Sequence, residues 1–324
     1  MRRRSLAILS TAAVAALALA GCSSDQSGDP EADGTEAPAS LCDAAAPEGD
    51  AVSSIEVTGE VGEEAEATFE APLEMAEIER TVIVEGEGDP LEAGDYISYG
   101  ATVYDGESGE KMGSEGYDEA SSLPAAVTAD NIFGQALGCA TPGTRVAFTF
   151  PGQTAEDGTA YPSQVYVLDF FESVPTQATG EPQDLPDGFP ALETADDGTP
   201  TVTVPDGFET PETTELADSM VGDGDEVQDG DTVFVQYLGV KASDGSEFDS
   251  SWSRGAPTSF PTSGVIEGFT KALVGQKVGS QVVAVIPPSE GYGASDGHEL
   301  QDETLIFVVD ILGTMRTPEG TAAQ

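Results

Sequence analysis

From Thr232 to Leu238 apolar and polar positions alternate, with Val233, Val235 and Tyr237 on one side, and this predicts a strand with one buried face. Residues 282–286 and 304–311 are β-branched and apolar enough to predict strands buried on both faces. Residues 267–274 break the pattern: Phe269 and Leu273 lie four apart, on one face of a short helix that Gly275 ends. A sheet with an apolar face needs a cover, and one amphipathic helix supplies it. The class predicted is α+β, a twisted antiparallel sheet on one short helix.

The same pattern occurs twice. "EGEGDPLEAGDYISYGATV" (85–103) lies over "VGDGDEVQDGDTVFVQYLG" (221–239) at an offset of 136, pairing Gly86 with Gly222 and Gly94-Asp95 with Gly230-Asp231. Phe133 with Phe269, Ala136-Leu137 with Ala272-Leu273 and Pro151 with Pro287 keep that offset, and Asp169 answers Asp310 further on. Two domains of one fold follow. The predicted layout is 1–21 signal peptide, 22–50 acidic Ser/Gly-rich tether, 51–175 first domain, 176–220 linker with a lead-in strand, 221–315 second domain and 316–324 tail.

The first residues, "MRRRSLAILSTAAVAALALAGCSS", set a basic stretch before an apolar run too short to span a bilayer, which is the order of an export signal. The L-A-G-C ending resembles the bacterial lipobox, implying a lipid on Cys22 and a protein held at the outer face of the cell membrane. Cys42 and Cys139 remain as an even pair in an oxidising compartment; a disulfide between them is expected, worth roughly 4–5 kcal/mol at most. With 60 acidic against 11 basic residues, a formal net charge of −49, the chain repels phosphates, which argues against nucleic-acid binding. "VGDGDEVQDGD" lacks the spacing of a calcium loop and reads as a turn.

In the second copy "VQYLG", "GSEFDSS", "GVIEGFTKALVGQKVGSQVVAVIPPSEGYG" and "TLIFVVDIL" follow one another. Residues 221–315 thereby resemble the FKBP-type peptidyl-prolyl cis-trans isomerases. The resemblance implies a five-stranded antiparallel sheet around a short helix, and an apolar pocket for a prolyl ring. It implies catalysis without cofactor or metal, Xaa-Pro segments of exported or unfolded proteins as substrates, and macrolide inhibitors as ligands. It places Tyr237, Asp249, Ile266 and Tyr292 in catalytic positions, and Phe248, Val265, Phe269 and Phe307 around the substrate. Trp252, the sole tryptophan, is expected on the pocket rim. Between Pro257 and Val265 the chain is about two residues short, and a family aromatic falls on Thr258, so one wall is expected to be thin.

Each assignment has a plainer rival. Val265, Ile266, Phe269 and Phe307 taken singly read as core, and Asp249 alone as a turn residue; the joint pattern makes them a site. His298 reads as an exposed loop residue, and Lys271 and Lys277 as solvated charges. At the offset the first copy has Ala101, Met112, Gly113, Ala129 and Asp130 for Tyr237, Phe248, Asp249, Val265 and Ile266, and no flap tyrosine, so it is expected to be catalytically silent. The leading expectation is a lipid-anchored isomerase assisting the folding of exported proteins. The alternative is an FKBP-like chaperone or adaptor with little turnover; a transporter's substrate-binding lipoprotein disagrees with the repeat.

Overall fold

The computed structural model describes residues 40–154 and 158–317. The export signal and Cys22 lie outside the described residues. Among those described, no helix is long and apolar enough to cross a membrane.

The first lobe opens with two single-turn helices, α1 (Leu41–Ala44) and α2 (Asp50–Ser53), and a hairpin of β1 (Glu56–Thr58) and β2 (Glu66–Thr68). There follow β3 (Arg80–Val84), β4 (Tyr96–Asp105), β5 (Lys111–Glu115), β6 (Ala125–Ala126), α3 (Ile132–Leu137) and β7 (Arg145–Phe150). A small pair, β8 (Gln153–Thr154) and β9 (Ala160–Tyr161), precedes β10 (Gln164–Val174). The antiparallel sheet runs β3-β7-β10-β4-β5, with β6 also on β4.

The second lobe repeats this. It adds β11 (Glu181–Pro182), a hairpin of β12 (Ala191–Thr194) and β13 (Pro200–Thr203), β14 (Glu215–Val221), β15 (Thr232–Lys241) and β16 (Glu247–Ser250). Then come α4 (Ser251–Arg254), β17 (Thr258–Pro261), α5 (Glu267–Leu273), β18 (Gln281–Ile286) and β19 (Leu305–Met315). Its sheet order is β11-β14-β18-β19-β15-β16, with β17 on β15. Strand for strand, this is the topology of the first lobe with one added edge strand.

Strand period places alternate residues on opposite sheet faces, and both faces are covered. In the second lobe Val233, Val235, Tyr237, Val282, Ala284, Phe307 and Val309 pack with Phe269, Ala272 and Leu273 of α5. On the other face Leu238, Val240, Val283, Val285, Ile306 and Val308 pack under Leu185, Phe189, Leu192, Val202, Val204 and Phe208. The β12–β13 hairpin therefore roofs the back of the sheet. In the first lobe β1–β2 does the same over Tyr104, Ala147, Val165 and Val167. The 136-residue offset extends into these hairpins: Gly62 and Gly198 both turn with positive φ, +91° and +83°.

Residues 176–220 thus differ from the expected linker with a lead-in strand. Residues 201–204 fall in the hairpin and the loop after it, while β14 is an integral strand bonded to β18. The apolar residues of this stretch are too sparse to announce a second layer, yet the doubly buried β18 and β19 require one.

Cys42 and Cys139 are joined in a disulfide with Cα atoms 4.7 Å apart, binding α1 to the end of α3. Residues 40 onward therefore belong to the first lobe, and the tether expected for 22–50 overlaps it. The lobes meet where Tyr96 stacks obliquely on Phe234, ring centres 5.2 Å apart, and Arg316 N donates to Ala120 O at 2.7 Å.

Candidate active site

On the helix-covered face of the second sheet five aromatic rings converge. Phe269, carried up by α5, meets Phe307 of β19 edge-on at 4.9 Å and Tyr237 of β15 at 5.9 Å. Phe248 of β16 stands at 88° to Phe307, 5.4 Å away. Phe260 of β17 closes the ring with contacts to Tyr237 (5.6 Å) and Phe269 (6.1 Å). Such edge-to-face arrangements satisfy the ring quadrupoles and hold the planes apart. Tyr237, Phe269 and Phe307 are buried; Phe248, Phe260, Val265, Ile266 and Tyr292 are half-buried, so the cluster reaches the surface.

The backbone explains how Phe248 and Phe307 come so close. Gly239 on β15 pairs with Phe307 on one side and Asp249 on the other. A Cβ there would stand 2.7 Å from the Phe248 ring and 2.9 Å from the Phe307 ring. Only glycine leaves room for both.

A polar group borders the aromatic one. The Tyr237 hydroxyl donates to Asp249 Oδ2 at 2.5 Å and accepts from Arg254 Nη2 at 2.8 Å, while Arg254 Nη1 also donates to Asp249 Oδ1. The guanidinium lies 5.2 Å from the Tyr237 ring centre. Burial, reinforced by the hydrogen bond to Asp249, pushes the Tyr237 phenol up to about 12, so it stays protonated through the neutral range. Burial and the Asp249 charge raise Tyr292 as well. The turn carrying Arg254 is fixed by Ser251, whose hydroxyl accepts from Tyr237 N at 2.7 Å and donates to Gln236 Oε1 at 2.5 Å.

Two hydrogen-bond donors at this site are left over. Ile266 is the N-cap of α5, its extended backbone (φ −62°, ψ 151°) leaving its N–H outside the helical ladder. Neither that N–H nor the Tyr292 hydroxyl donates to any described protein group. Tyr292 is held instead by stacking on His298, ring centres 4.1 Å apart at 7°. His298 is exposed, as expected, but not partnerless: its Nδ1 also accepts from Leu300 N at 3.1 Å.

Of the nine expected site residues, the structure brings eight together: Tyr237, Phe248, Asp249, Val265, Ile266, Phe269, Tyr292 and Phe307. Trp252 is the exception. It packs in the cluster on the back of the sheet, with Leu192, Val202, Leu238 and Ile306, and its indole N–H finds no acceptor among the described residues. The cause is α4: one helical turn sends Arg254 forward to Asp249 and Trp252 backward under the hairpin. The thin wall expected at Thr258 is also corrected, because β17 pairs Phe260 with Val233 and so supplies the aromatic two residues later. Lys271 is not simply solvated: it bonds Glu267 (2.9 Å) and Glu290 (2.8 Å), tying α5 to the loop before Tyr292. Arg254 and Phe260 are the site residues that sequence reasoning missed. With 11 basic residues in the chain, a cation within reach of Asp249 was the available signal for the first.

The first lobe lacks this group. Ala101 stands for Tyr237, and Phe148 stands for Ala284 and stacks flat on Tyr166, the counterpart of Phe307, at 4.8 Å and 5°.

The family model for FKBP-type peptidyl-prolyl cis-trans isomerases matches residues 224–312. A probable FK506-binding protein of Corynebacterium glutamicum is 42% identical over 103 residues, 32% of this chain and 87% of that protein. An FK506-binding protein of Streptomyces anulatus is 42% identical over 111 residues, 33% of this chain and 90% of that protein. The FKBP-type isomerase FkpA of Escherichia coli K12 is 40% identical over 102 residues, 31% of this chain and 37% of that protein. The chain belongs to the FKBP-type peptidyl-prolyl cis-trans isomerases. It is an isomerase whose family match lies in the second of two lobes of like topology.

Proposed function

We propose that the second lobe turns Xaa–Pro bonds in exported or unfolded polypeptides at the outer face of the plasma membrane, with the chain held there by a lipid on Cys22. The observation that carries the chemical part is the convergence of Tyr237, Phe248, Phe269 and Phe307 beside the two unpaired donors, Ile266 N–H and Tyr292 O–H.

Rotation about the prolyl amide faces a barrier of about 18–20 kcal/mol, because resonance keeps the bond planar. At 90° of twist that resonance is lost and the amide dipole shrinks. An aromatic surface welcomes the less polar twisted form over the planar one, which is differential binding. The prolyl ring rests on Phe269 between Phe248 and Phe307. Ile266 N–H and Tyr292 O–H hold carbonyls flanking it, fixing the chain on either side of the rotating bond. Asp249, oriented by Arg254 and Tyr237, sets the field at the turning carbonyl. Each ~1.36 kcal/mol of preference is worth tenfold in rate. Neither a nucleophile nor a proton transfer is needed. The same surface supports macrolide inhibitors as ligands.

A protease-coupled assay of the full chain on Leu-Pro and Phe-Pro peptides tests this. Turnover is expected, and Asp249→Ala is expected to remove nearly all of it, since the first lobe is silent. A flat trace from the parent chain would leave the adaptor reading instead. Cys22→Ser, moving the protein from the membrane fraction to the soluble one, tests the anchor separately.

A further inference from the structure

Among the described residues the outer edge of β3 is bare where the same edge in the second lobe is covered. There β11 lies along β14, with Pro182 opposite Met220 and Glu181 opposite Val221. The matching positions in the first lobe are Val84 and Glu85. The residues that correspond to β11, Ala45 and Ala46, are drawn away to α3, where Ala46 N donates to Gln135 O at 2.8 Å beside the Cys42–Cys139 disulfide. Arg80 N bonds Pro47 O at one end, but no described strand pairs with the outer side of β3.

That edge is unusually apolar. Val82, Ile83 and Val84 are 39%, 36% and 39% exposed, three consecutive residues among the seven large exposed hydrophobics of the described chain. Edge strands are ordinarily blunted by lysine or proline; this one carries neither. Its one cation, Arg80, is spent on the carbonyls of Ala136 and Leu137 at the end of α3. Beside the edge is a shallow pocket of about 220 Å³ whose wall includes Val82, Leu137, Cys139 and Ala140. Glu77, Glu79, Glu85 and Glu87 flank the apolar residues.

We propose that β3 is a docking edge for an extended segment of unfolded polypeptide in which apolar residues alternate with basic ones. Backbone hydrogen bonds would add the segment to the sheet as β11 is added to β14, an apolar side chain would enter the pocket, and lysines or arginines would meet the glutamates. Charge selects this occupant. A second copy carries −49 and would set the exposed Glu85 and Glu87 against their equals, while Glu79 is taken up by Val52 N. The chain's own residues 23–39 are acidic, with Gly and Pro throughout, and are repelled in the same way.

The probe is a fluorescein-labelled, proline-free decapeptide of alternating valine and lysine, titrated into the full chain at physiological salt. A partner peptide N-methylated along one edge has the same charge but cannot pair. Binding of the first is expected, with at least roughly tenfold weaker binding of the methylated peptide. V82K/V84K, which alters exposed positions, is expected to weaken binding by a similar factor while melting temperature and isomerase turnover stay put. Equal binding of both peptides, or no change in the double variant, overturns the proposal. So does sedimentation that finds a dimer of the parent chain and a monomer of V82K/V84K, which would make the edge a self-interface. Because the probe has no proline and the readout is binding, failure here leaves the isomerase reading untouched.

Discussion

Arg145 and Gln281 occupy the same position in the two sheets, and each turns its side chain onto a buried aspartate. In the first lobe Arg145 grips Asp169 with two nitrogens, at 2.5 and 2.7 Å, and bonds the carbonyls of Gly59, Glu60 and Glu63. In the second, Gln281 Nε2 and Ala178 N each donate to Asp310 at 2.7 Å. Both aspartates pin the chain leading into their lobe, Asp169 through Gly62 N and Asp310 through Ala178 N. Among the described residues only the first has a cation.

Burial without that cation pushes Asp310 from its ordinary 3.8 up to about 6. The folded lobe therefore holds a proton that the unfolded chain has released, and the resulting stabilisation is lost as pH rises from 3.8 to about 6. Above that range the fold carries a penalty of about 3 kcal/mol. Asp310→Asn is expected to remove this slope. Urea unfolding of both proteins at about pH 5 and about pH 7.5 checks it: the wild-type advantage over the variant should shrink at the higher pH.

Arg254 bonds Asp249 and the Tyr237 hydroxyl with different nitrogens, a fork that lysine cannot reproduce. Arg254→Ala is expected to lower kcat/KM by roughly tenfold and Arg254→Lys to recover only part of it. Turnover should remain flat through the neutral range, because Tyr237 does not titrate below about 12. A steep pH profile in the parent protein would contradict this account.

Gly239→Ala adds a methyl that meets two rings at 2.7 and 2.9 Å. Phe248, the more exposed ring, has to swing outward. The expected result is a several-fold rise in KM with a loss of about 1 kcal/mol of stability, read by kinetics and thermal unfolding together. Unchanged KM would mean that the Phe248 contact does not shape the site.

Trp252 sits behind the sheet, one layer away from the aromatic site. As the sole tryptophan it reports on that rear cluster alone. Saturation with a prolyl peptide should barely move its emission, whereas Leu192→Ala in the roof should shift it to the red. Strong quenching by the peptide would place the indole at the front after all.

The sheet and helix were legible because β-branched runs and an i, i+4 pair carry their own period. The doubling was legible because glycines and prolines mark turns that both copies share. Eight site residues followed from the resemblance of four successive motifs to those of the family, since each taken singly reads as core or turn. Arg254 and the direction of Trp252 did not, since a single turn such as α4 is too short to show a period. Phe260 was hidden by counting from Pro257 across a shortened loop; strand pairing with Val233, not spacing, puts it in place. The roof was hidden because Leu192, Val202 and Val204 are scattered among acids and threonines, and only the doubly apolar strands beneath them called for a cover.

Severing this protein at residue 224, where the family match starts, would amputate β11 and β14 and unroof Leu238, Val240, Val283, Val285, Ile306 and Val308. Such a fragment would present water with a bare greasy plane and a raw strand margin, and would be expected to clump. A cut ahead of Ala178 keeps the awning attached and the clasp to Asp310 intact, so the smallest self-sufficient catalyst in this chain is half again as long as its recognisable motif.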